Sequence, residues 1–424
     1  MSRGASPARD AAFRLLLGWA TAQGDDVTNL SEENAALATE IAQGVMRHRA
    51  RLDHELKKFV HLASIDPKVR YLLRMGLYQI RFLKKVPDYA AVDDAVRLAQ
   101  QHHLNTGLVN AVLRKTTSHP APELPQSGFD FLTITLSLPR WLAQRWVRHF
   151  GDRRAVDYAQ AGLERPGLHL AVNTSRTTPA ALMIELAKEE IACAPQSQEA
   201  LLKVMAGNPV RSNAFRQGLF YIMGPSSYAV AEIAAYYLQD PTLDCCASPG
   251  GKLIHLKLAG SQILCGADRT FAKIALIRQN LHRMHIDGVR LVVGDFSTTP
   301  PIRSSFSTIL LDAPCSGLGV ISKLPEIKWR TRENDIARLA HQQSRILQNC
   351  FSLLAPRGRL IYSVCSLEPE EGQEIILAFL EKNKGAHVET LDPGFAHPDK
   401  DGFYRFFPML GMLDGFFAAV LTKK

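Results

Sequence analysis

Two cysteines are spaced so that the chain could do covalent chemistry. Cys315 follows Asp312-Ala313-Pro314, and Cys365 closes the run Gly358-Arg359-Leu360-Ile361-Tyr362-Ser363-Val364. Both runs read as strands, the first from Ile309 to Asp312. Ends of neighbouring strands in a parallel sheet lie about 5 Å apart. If these two strands are neighbours, both thiols and the Asp312 carboxylate open into one crevice. A thiolate there is a nucleophile, and a second thiol or an acid beside it can move protons. On spacing alone either cysteine could attack. An ordinary thiol is mostly protonated near neutral pH, so attack needs a positive field, for which Lys252 and nearby helix N-termini are candidates. The usual fate of a single cysteine is a small buried hydrophobe, and that is expected of Cys193, Cys245, Cys265 and Cys350.

A second set of residues points to a ligand beside those thiols. Asp244-Cys245-Cys246-Ala247-Ser248-Pro249-Gly250-Gly251-Lys252 follows a short strand at Pro241 to Leu243 and precedes a helix opening at Leu253-Ile254-His255-Leu256. A glycine turn between strand and helix lets a ligand approach the backbone and meet the positive helix N-terminus. Eighteen residues past Gly250, the run Ile263 to Ala267 ends in Asp268, well placed for ribose hydroxyls. A third strand, Leu291 to Asp295, and a fourth, Ile309 to Asp312, also end in acids. Such acids can merely cap helices, but their recurrence at every strand end describes a ligand crevice in an open α/β sheet and a nucleoside-type cofactor. None of the seven cysteines forms a CxxC pair, so no metal site is expected, and free thiols in a reducing cytoplasm fit better than disulfides.

The elements that must carry these residues occupy only the second half of the chain. From about Ala5 to Thr117 the pattern is helical, with Leu37, Ile41 and Val45 on one side of a helix capped by Ser31, further helices at Tyr71 to Leu83 and Ala90 to Gln101, and Val109, Val112 and Leu113 closing the series. Residues 1–120 are therefore expected to be an all-α domain. They hold 17 Lys and Arg against 12 Asp and Glu. Arg47, Arg49, Arg51, Lys57 and Lys58 crowd one region and Arg81, Lys84 and Lys85 another, which suits RNA as well as a solvated helix face. Pro120, Pro122 and Pro125 mark a linker. Residues 129–218 read as a small α+β module, with a helix from Pro139 bearing Trp141 and Trp146, a strand at Leu168 to Asn173 and a helix at Thr178 to Glu189. Residues 219–424 read as a doubly wound, mostly parallel α/β domain entered through a strand at Leu219 to Ile222 and a helix at Ser226 to Leu238. A net charge of +9 and a pI near 9.2 favour a polyanionic partner. Met1 to Asp10 is polar, so no signal peptide is expected, and no apolar run reaches the roughly 18 residues of a membrane span.

Four motifs carry a resemblance. Cys246-Ala247-Ser248-Pro249-Gly250-Gly251-Lys252, Asp312-Ala313-Pro314-Cys315-Ser316-Gly317, Pro325-Glu326-Ile327-Lys328-Trp329 and Tyr362-Ser363-Val364-Cys365-Ser366 resemble the Nop/Sun family of RNA cytosine-5 methyltransferases. Tyr78-Gln79-Ile80 to Pro87 and Asn110-Ala111-Val112-Leu113-Arg114 resemble the NusB antitermination factor. The resemblance covers nearly the whole chain. It implies a Rossmann-like methyltransferase domain, S-adenosylmethionine as cofactor and RNA as partner. The joined NusB-like domain implies 16S ribosomal RNA, with transfer RNA or another ribosomal site as the alternative, and a monomer is expected. A non-catalytic RNA-binding factor is the rival from another class, disfavoured because both thiols and every acid are present.

By motif, Cys246, Ala247, Ser248, Pro249, Gly250, Gly251 and Lys252 would hold the methionine end of the cofactor, Asp268 the ribose and Asp295 the adenine amine. Asp312 would lie between cofactor and target, bonding the cytosine edge. Cys365 would be the nucleophile and Cys315 the helper in product release. The target base must leave its stack to be reached. Lys323, Lys328, Trp329, Arg330 and Arg332 are expected on a surface loop beside the site, where an aromatic among cations suits stacking and phosphate contact, unless Trp329 only packs locally. The chain departs from the family at Val364 (usually threonine), Ser248 (usually alanine), Met223-Gly224 (often glutamine and an acid) and in lacking basic residues before Asp414.

Overall fold

The computed structural model describes residues 6–21, 31–300, 302–303, 305–408 and 414–424. The segment just before Asp414 and the first residues of the helical pattern lie outside them. The chain forms two units, Met1–Glu164 with Ile321–Arg332, and Arg165–Val320 with Glu333–Lys424.

The first unit is helical, with its main helices at Pro7–Thr21, Glu32–Arg47, Arg49–Leu56, Pro67–Phe82, Asp88–Gln101, Thr106–Ser118 and Arg140–Ala161. Local chemistry sets their starts. Asp66 accepts from Lys68 N at 2.6 Å ahead of Pro67, and Asn105 accepts from Leu108 N at 2.9 Å. Ser31 stands at the expected cap position, but its hydroxyl accepts from Asn34 rather than from the helix backbone. Phe13, Leu16, Ile41, Val45, Leu72, Leu77 and Leu113 share one core. Each such side chain contributes about 1.5–3 kcal/mol by leaving water.

Ile321–Arg332 belongs to this helical unit, which corrects the expectation of a surface loop. The helix Glu32–Arg47 ends in carbonyls without helical partners. Trp329 Nε1 donates to Met46 O at 2.7 Å and the Lys328 amine to Arg47 O at 3.0 Å. Arg47 returns a bond to Ser322 O at 2.9 Å, and the Arg49 guanidinium lies 4.7 Å over the Trp329 ring. Trp329 thus packs locally, while Arg330 and Arg332 stay exposed. A tryptophan among cations reads alike as a stacking platform and as a helix-end cap, so sequence could not separate them.

Burial pushes the Lys328 amine down to about 7, helped by the charge of Arg47. The unfolded chain therefore binds a proton that the folded one does not, between about pH 7 and the ordinary lysine range. Stability should rise with pH across that interval. Lys328→Met is expected to flatten the rise in unfolding midpoint between about pH 7 and 9 relative to the unaltered protein. Identical slopes would show that Lys328 stays charged in the fold.

The second unit holds two sheets. The smaller has the antiparallel order β2-β3-β1-β4, from β1 His169–Val172, β2 Ala192–Pro195, β3 Leu201–Ala206 and β4 Phe220–Ile222. The strand expected to open the catalytic domain is β4. It instead pairs with β1, because Phe220 packs with Leu170, Leu182 and Leu202. Cys193 lies half-buried on β2 rather than in a core.

The larger sheet is built from β5 Thr242–Asp244, β6 Leu264–Asp268, β7 Val289–Val293, β8 Phe306–Asp312, β9 Leu354–Val364, β10 Ala386–Val388, β11 Phe403–Phe406 and β12 Phe416–Lys423. Its order is β10-β12-β9-β8-β5-β6-β7, with β11 also on β12. Strands β5 to β9 are parallel neighbours, and β12 runs antiparallel to β9. Alternation along the strands splits the core into two faces. Leu310 and Ile361 pack with the helices Pro225–Tyr236, Gly251–Leu258 and Phe271–Arg283. Ile309, Leu311, Leu360 and Tyr362 pack with Glu333–Ser352 and Gln373–Lys382. Helices on both faces make the sheet doubly wound. Among the described residues no helix is long and apolar enough to cross a membrane.

Candidate active site

The connections after β5 and β8 diverge to opposite faces, which opens a crevice at the strand ends between them. The turn after β5 lies on one side. Gly250 has φ +109°, a left-handed conformation that suits glycine and few other residues. Asn280 fixes the turn by donating to Pro249 O at 2.9 Å, and the helix Gly251–Leu258 begins directly after it. Cys246 and Ser248 are half-buried, Ala247 is buried and Pro249 is exposed. Asp268, at the end of β6, accepts from Ser248 N at 3.1 Å, Arg269 N at 2.7 Å and the Lys273 ammonium at 2.9 Å. Asp295 stands two residues past β7. It accepts from Ser297 N at 2.8 Å and its hydroxyl at 2.6 Å, and these bonds hold its carboxyl below the usual range.

Asp312, Cys315 and Cys365 meet on the other side, because β8 and β9 are parallel neighbours with Asp312 opposite Ser363. The Lys252 ammonium lies 2.6 Å from Asp312 Oδ2, and the Ser363 hydroxyl donates to Oδ1 at 2.8 Å. The two cysteine sulfurs are 3.1 Å apart. The loops carrying them are tied by Gly319 N, which donates to Cys365 O at 3.0 Å. A Cβ at Gly319 would overlap the Gly415 carbonyl, so glycine is required there.

The charges around the two sulfurs differ. Burial would lower Lys252, but the Asp312 carboxylate, with lesser help from Asp244 and the Cys365 sulfur, holds it protonated above its usual value. The Cys365 sulfur thus lies within electrostatic reach of a cation. Its hydrogen bond to Cys365, burial, and the negative charge of Cys365 and Glu371 push the Cys315 thiol well up. Cys315 is held as S–H. The turn Cys246 to Lys252 follows β5, and Asp268, Asp295, Asp312, Cys315 and Cys365 stand at or just past the C-terminal ends of β6, β7, β8 and β9, whereas Lys323, Lys328, Trp329, Arg330 and Arg332 belong to the helical unit. Gln343 and Glu371 had no signal in the sequence, and for Asp244 and Ser363, which fall inside the quoted motifs, only the fold shows the surroundings.

The residues fit S-adenosylmethionine. Asp244 is buried at the root of the turn, and among the described residues neither carboxylate oxygen has a well-formed hydrogen bond, Cys246 N giving only a weak one. Burial pushes its carboxyl up to about 7 against the pull of Lys252. An unsatisfied buried carboxylate next to an open backbone turn suits a cationic, zwitterionic ligand.

A doubly wound sheet with this turn and this row of acids defines an S-adenosylmethionine-dependent methyltransferase of the Nop/Sun type. Residues 235–422 match the model for the 16S rRNA methyltransferase RsmB/F family, residues 6–118 the NusB family and residues 138–208 the ferredoxin-like domain of RsmF/B-like methyltransferases. The ribosomal RNA small subunit methyltransferase B of Sodalis glossinidius is 33% identical over 93% of this chain and 91% of its own. A probable ribosomal RNA small subunit methyltransferase B of Bacillus subtilis is 31% identical over 93% and 92%. The solved structure of NSun6 from Pyrococcus horikoshii with SFG, an S-adenosylmethionine analogue, shares the fold at a TM-score of 0.61 and 21% identity, over 67% of this chain and 98% of that one. The chain belongs to the RsmB/F family of RNA methyltransferases.

Proposed function

We propose that the protein methylates C5 of one cytosine in 16S ribosomal RNA through a covalent bond from Cys365 to C6. The observation that carries this reading is geometric: the Cys315 and Cys365 sulfurs lie 3.1 Å apart, with the Lys252–Asp312 ion pair at the end of β8 and the Glu371 carboxylate bonded to Ser316, the residue after Cys315. Cytosine C5 is too weak a nucleophile to accept a methyl group unaided. Addition of the Cys365 thiolate forms the S–C6 bond and makes C5 an enamine carbon. S-adenosylmethionine, when bound, supplies an electrophilic methyl group. Asp312, oriented by Lys252 and Ser363, bonds the cytosine edge and keeps C5 in line. The C5 proton then leaves to a base and the S–C6 bond breaks, returning Cys365 as a thiolate. The Cys315 S–H donates to that departing sulfur and so assists release.

The turn from Cys246 to Lys252 would hold the methionine end of the cofactor, Asp268 the ribose and Asp295 the adenine. Asp244 would answer the cofactor's ammonium. Asp244→Asn is expected to weaken binding about tenfold or more, because it removes a buried countercharge. Since a cation favours the ionised carboxylate, binding to the unaltered protein should tighten as pH rises through about 7 and binding to the variant should not. Calorimetry at both ends of that range measures this, and the same pH trend in both proteins would remove Asp244 from the site.

The reading as a whole is tested by giving the protein labelled S-adenosylmethionine with 16S RNA or transfer RNA lacking the modification, then digesting the RNA to nucleosides. Label in 5-methylcytidine from 16S RNA is expected. Label from transfer RNA alone would overturn the substrate, and label in another nucleoside would overturn the reaction.

A further inference from the structure

We propose that Gln343 and Glu371 are positioning residues that hold Cys315 for product release, an inference that rests on the reading of Cys315 given above. The Gln343 side-chain amide, on the helix Glu333–Ser352, uses both hydrogens. It donates to Pro314 O at 2.9 Å and to Glu371 Oε1 at 3.1 Å. Glu371 Oε1 also accepts from Ser316 N at 2.7 Å, and Oε2 accepts from the Ser316 hydroxyl at 2.5 Å. The pair thus grips the backbone on both sides of Cys315, at Pro314 and at Ser316. Tyr362, three residues before Cys365, donates its hydroxyl to Glu371 O at 2.6 Å. One buried residue therefore joins the Cys315 loop to the strand that presents Cys365.

Glu371 and Gln343 have no exposed surface, and, local backbone bonds aside, their hydrogen bonds among the described residues run to Pro314, Ser316, Tyr362 and each other. A buried carboxylate and amide are costly unless fully bonded, so an apolar pair would fill this space at lower cost were packing their only task. What they add is direction. They fix the peptides on either side of the cysteine, and the Glu371 charge adds a little to the hydrogen bond from Cys365 and the burial that push the Cys315 thiol up. Methyl transfer needs Cys365 and the cofactor, whereas release needs Cys315 at its sulfur. Loosening the pair should slow the second step and spare the first.

The test compares the unaltered protein, Gln343→Met, Glu371→Gln and Cys315→Ala on 16S RNA with labelled S-adenosylmethionine. Single-turnover methyl transfer and the lifetime of the denaturation-resistant RNA adduct are followed together, with thermal unfolding and cofactor binding as checks of the fold. Gln343→Met, which keeps volume but loses both bonds, is expected to transfer methyl within about threefold of the native rate and to lose its adduct about tenfold more slowly. Glu371→Gln keeps one acceptor oxygen and should show a smaller delay of the same kind. A native adduct lifetime in both, or a loss of methyl transfer as large as the delay in release, would overturn the proposal. If Gln343→Met does not fold, Glu371→Gln decides by the same two rates. A native lifetime in Cys315→Ala would instead overturn the assignment of release to Cys315, whatever the other two variants do.

Discussion

Cys365→Ala is expected to abolish methyl transfer, with a loss of at least about 10⁴-fold, and to form no covalent RNA adduct. Cys315→Ala is expected to do the opposite in one respect, forming the adduct and failing to let it go. The contrast follows from the surroundings of the two sulfurs rather than from the sulfurs themselves. The Lys252 ammonium, held 2.6 Å from Asp312, interacts electrostatically with the Cys365 sulfur. At Cys315 the hydrogen bond to Cys365, burial and, to a lesser degree, the Glu371 charge favour the thiol. Neither substitution should disturb the fold greatly, because both side chains are half-buried at strand ends and neither is bonded in a disulfide. Denaturing gels with labelled RNA and labelled cofactor read both outcomes. An adduct that persists in Cys365→Ala would exchange the two roles.

The second large effect is expected at Asp312. Its carboxylate is fixed by Lys252 at 2.6 Å and by Ser363 at 2.8 Å, so it is preorganised before any substrate arrives. Asp312→Asn keeps the shape and the Ser363 bond but loses the charge. Methyl transfer should fall about 10²- to 10³-fold, the usual cost of removing one preorganised group at a reacting centre. Cofactor binding should change by less than about tenfold, since the backbone of the turn and Asp268 are untouched and only the Lys252 side chain loses a partner. A fall in binding that matches the fall in rate would place Asp312 in cofactor holding alone.

The sulfur pair was legible in sequence because strand ends in a parallel sheet converge and each cysteine closes a strand. The acids were legible for the same reason. The neighbour relation of β8 and β9 was a condition that spacing could state but not meet. Gln343 and Glu371 were invisible, since a glutamine on an amphipathic helix and a glutamate after a proline are commonplace. Their role exists only because one helix crosses the loop of another element. Trp329 shows the converse. Its sequence setting suits RNA and its actual partners are Met46 O and Arg49. The strand at Phe220 was assigned to the wrong sheet because a short apolar run carries no mark of its partner.

The capping of the helix Glu32–Arg47 by Lys328 and Trp329 has a bearing on how the gene can be cut. Neither unit is a contiguous stretch of chain. A truncated protein starting near Arg165 would still carry Ile321–Arg332, now stripped of the helix end it was built against, with an indole left facing water and a lysine that regains its charge there. A fragment ending near Glu164 would in turn lose the cap of one of its longest helices. Modular exchange of the leading domain therefore calls for a double graft, in which the distant twelve-residue piece travels with it.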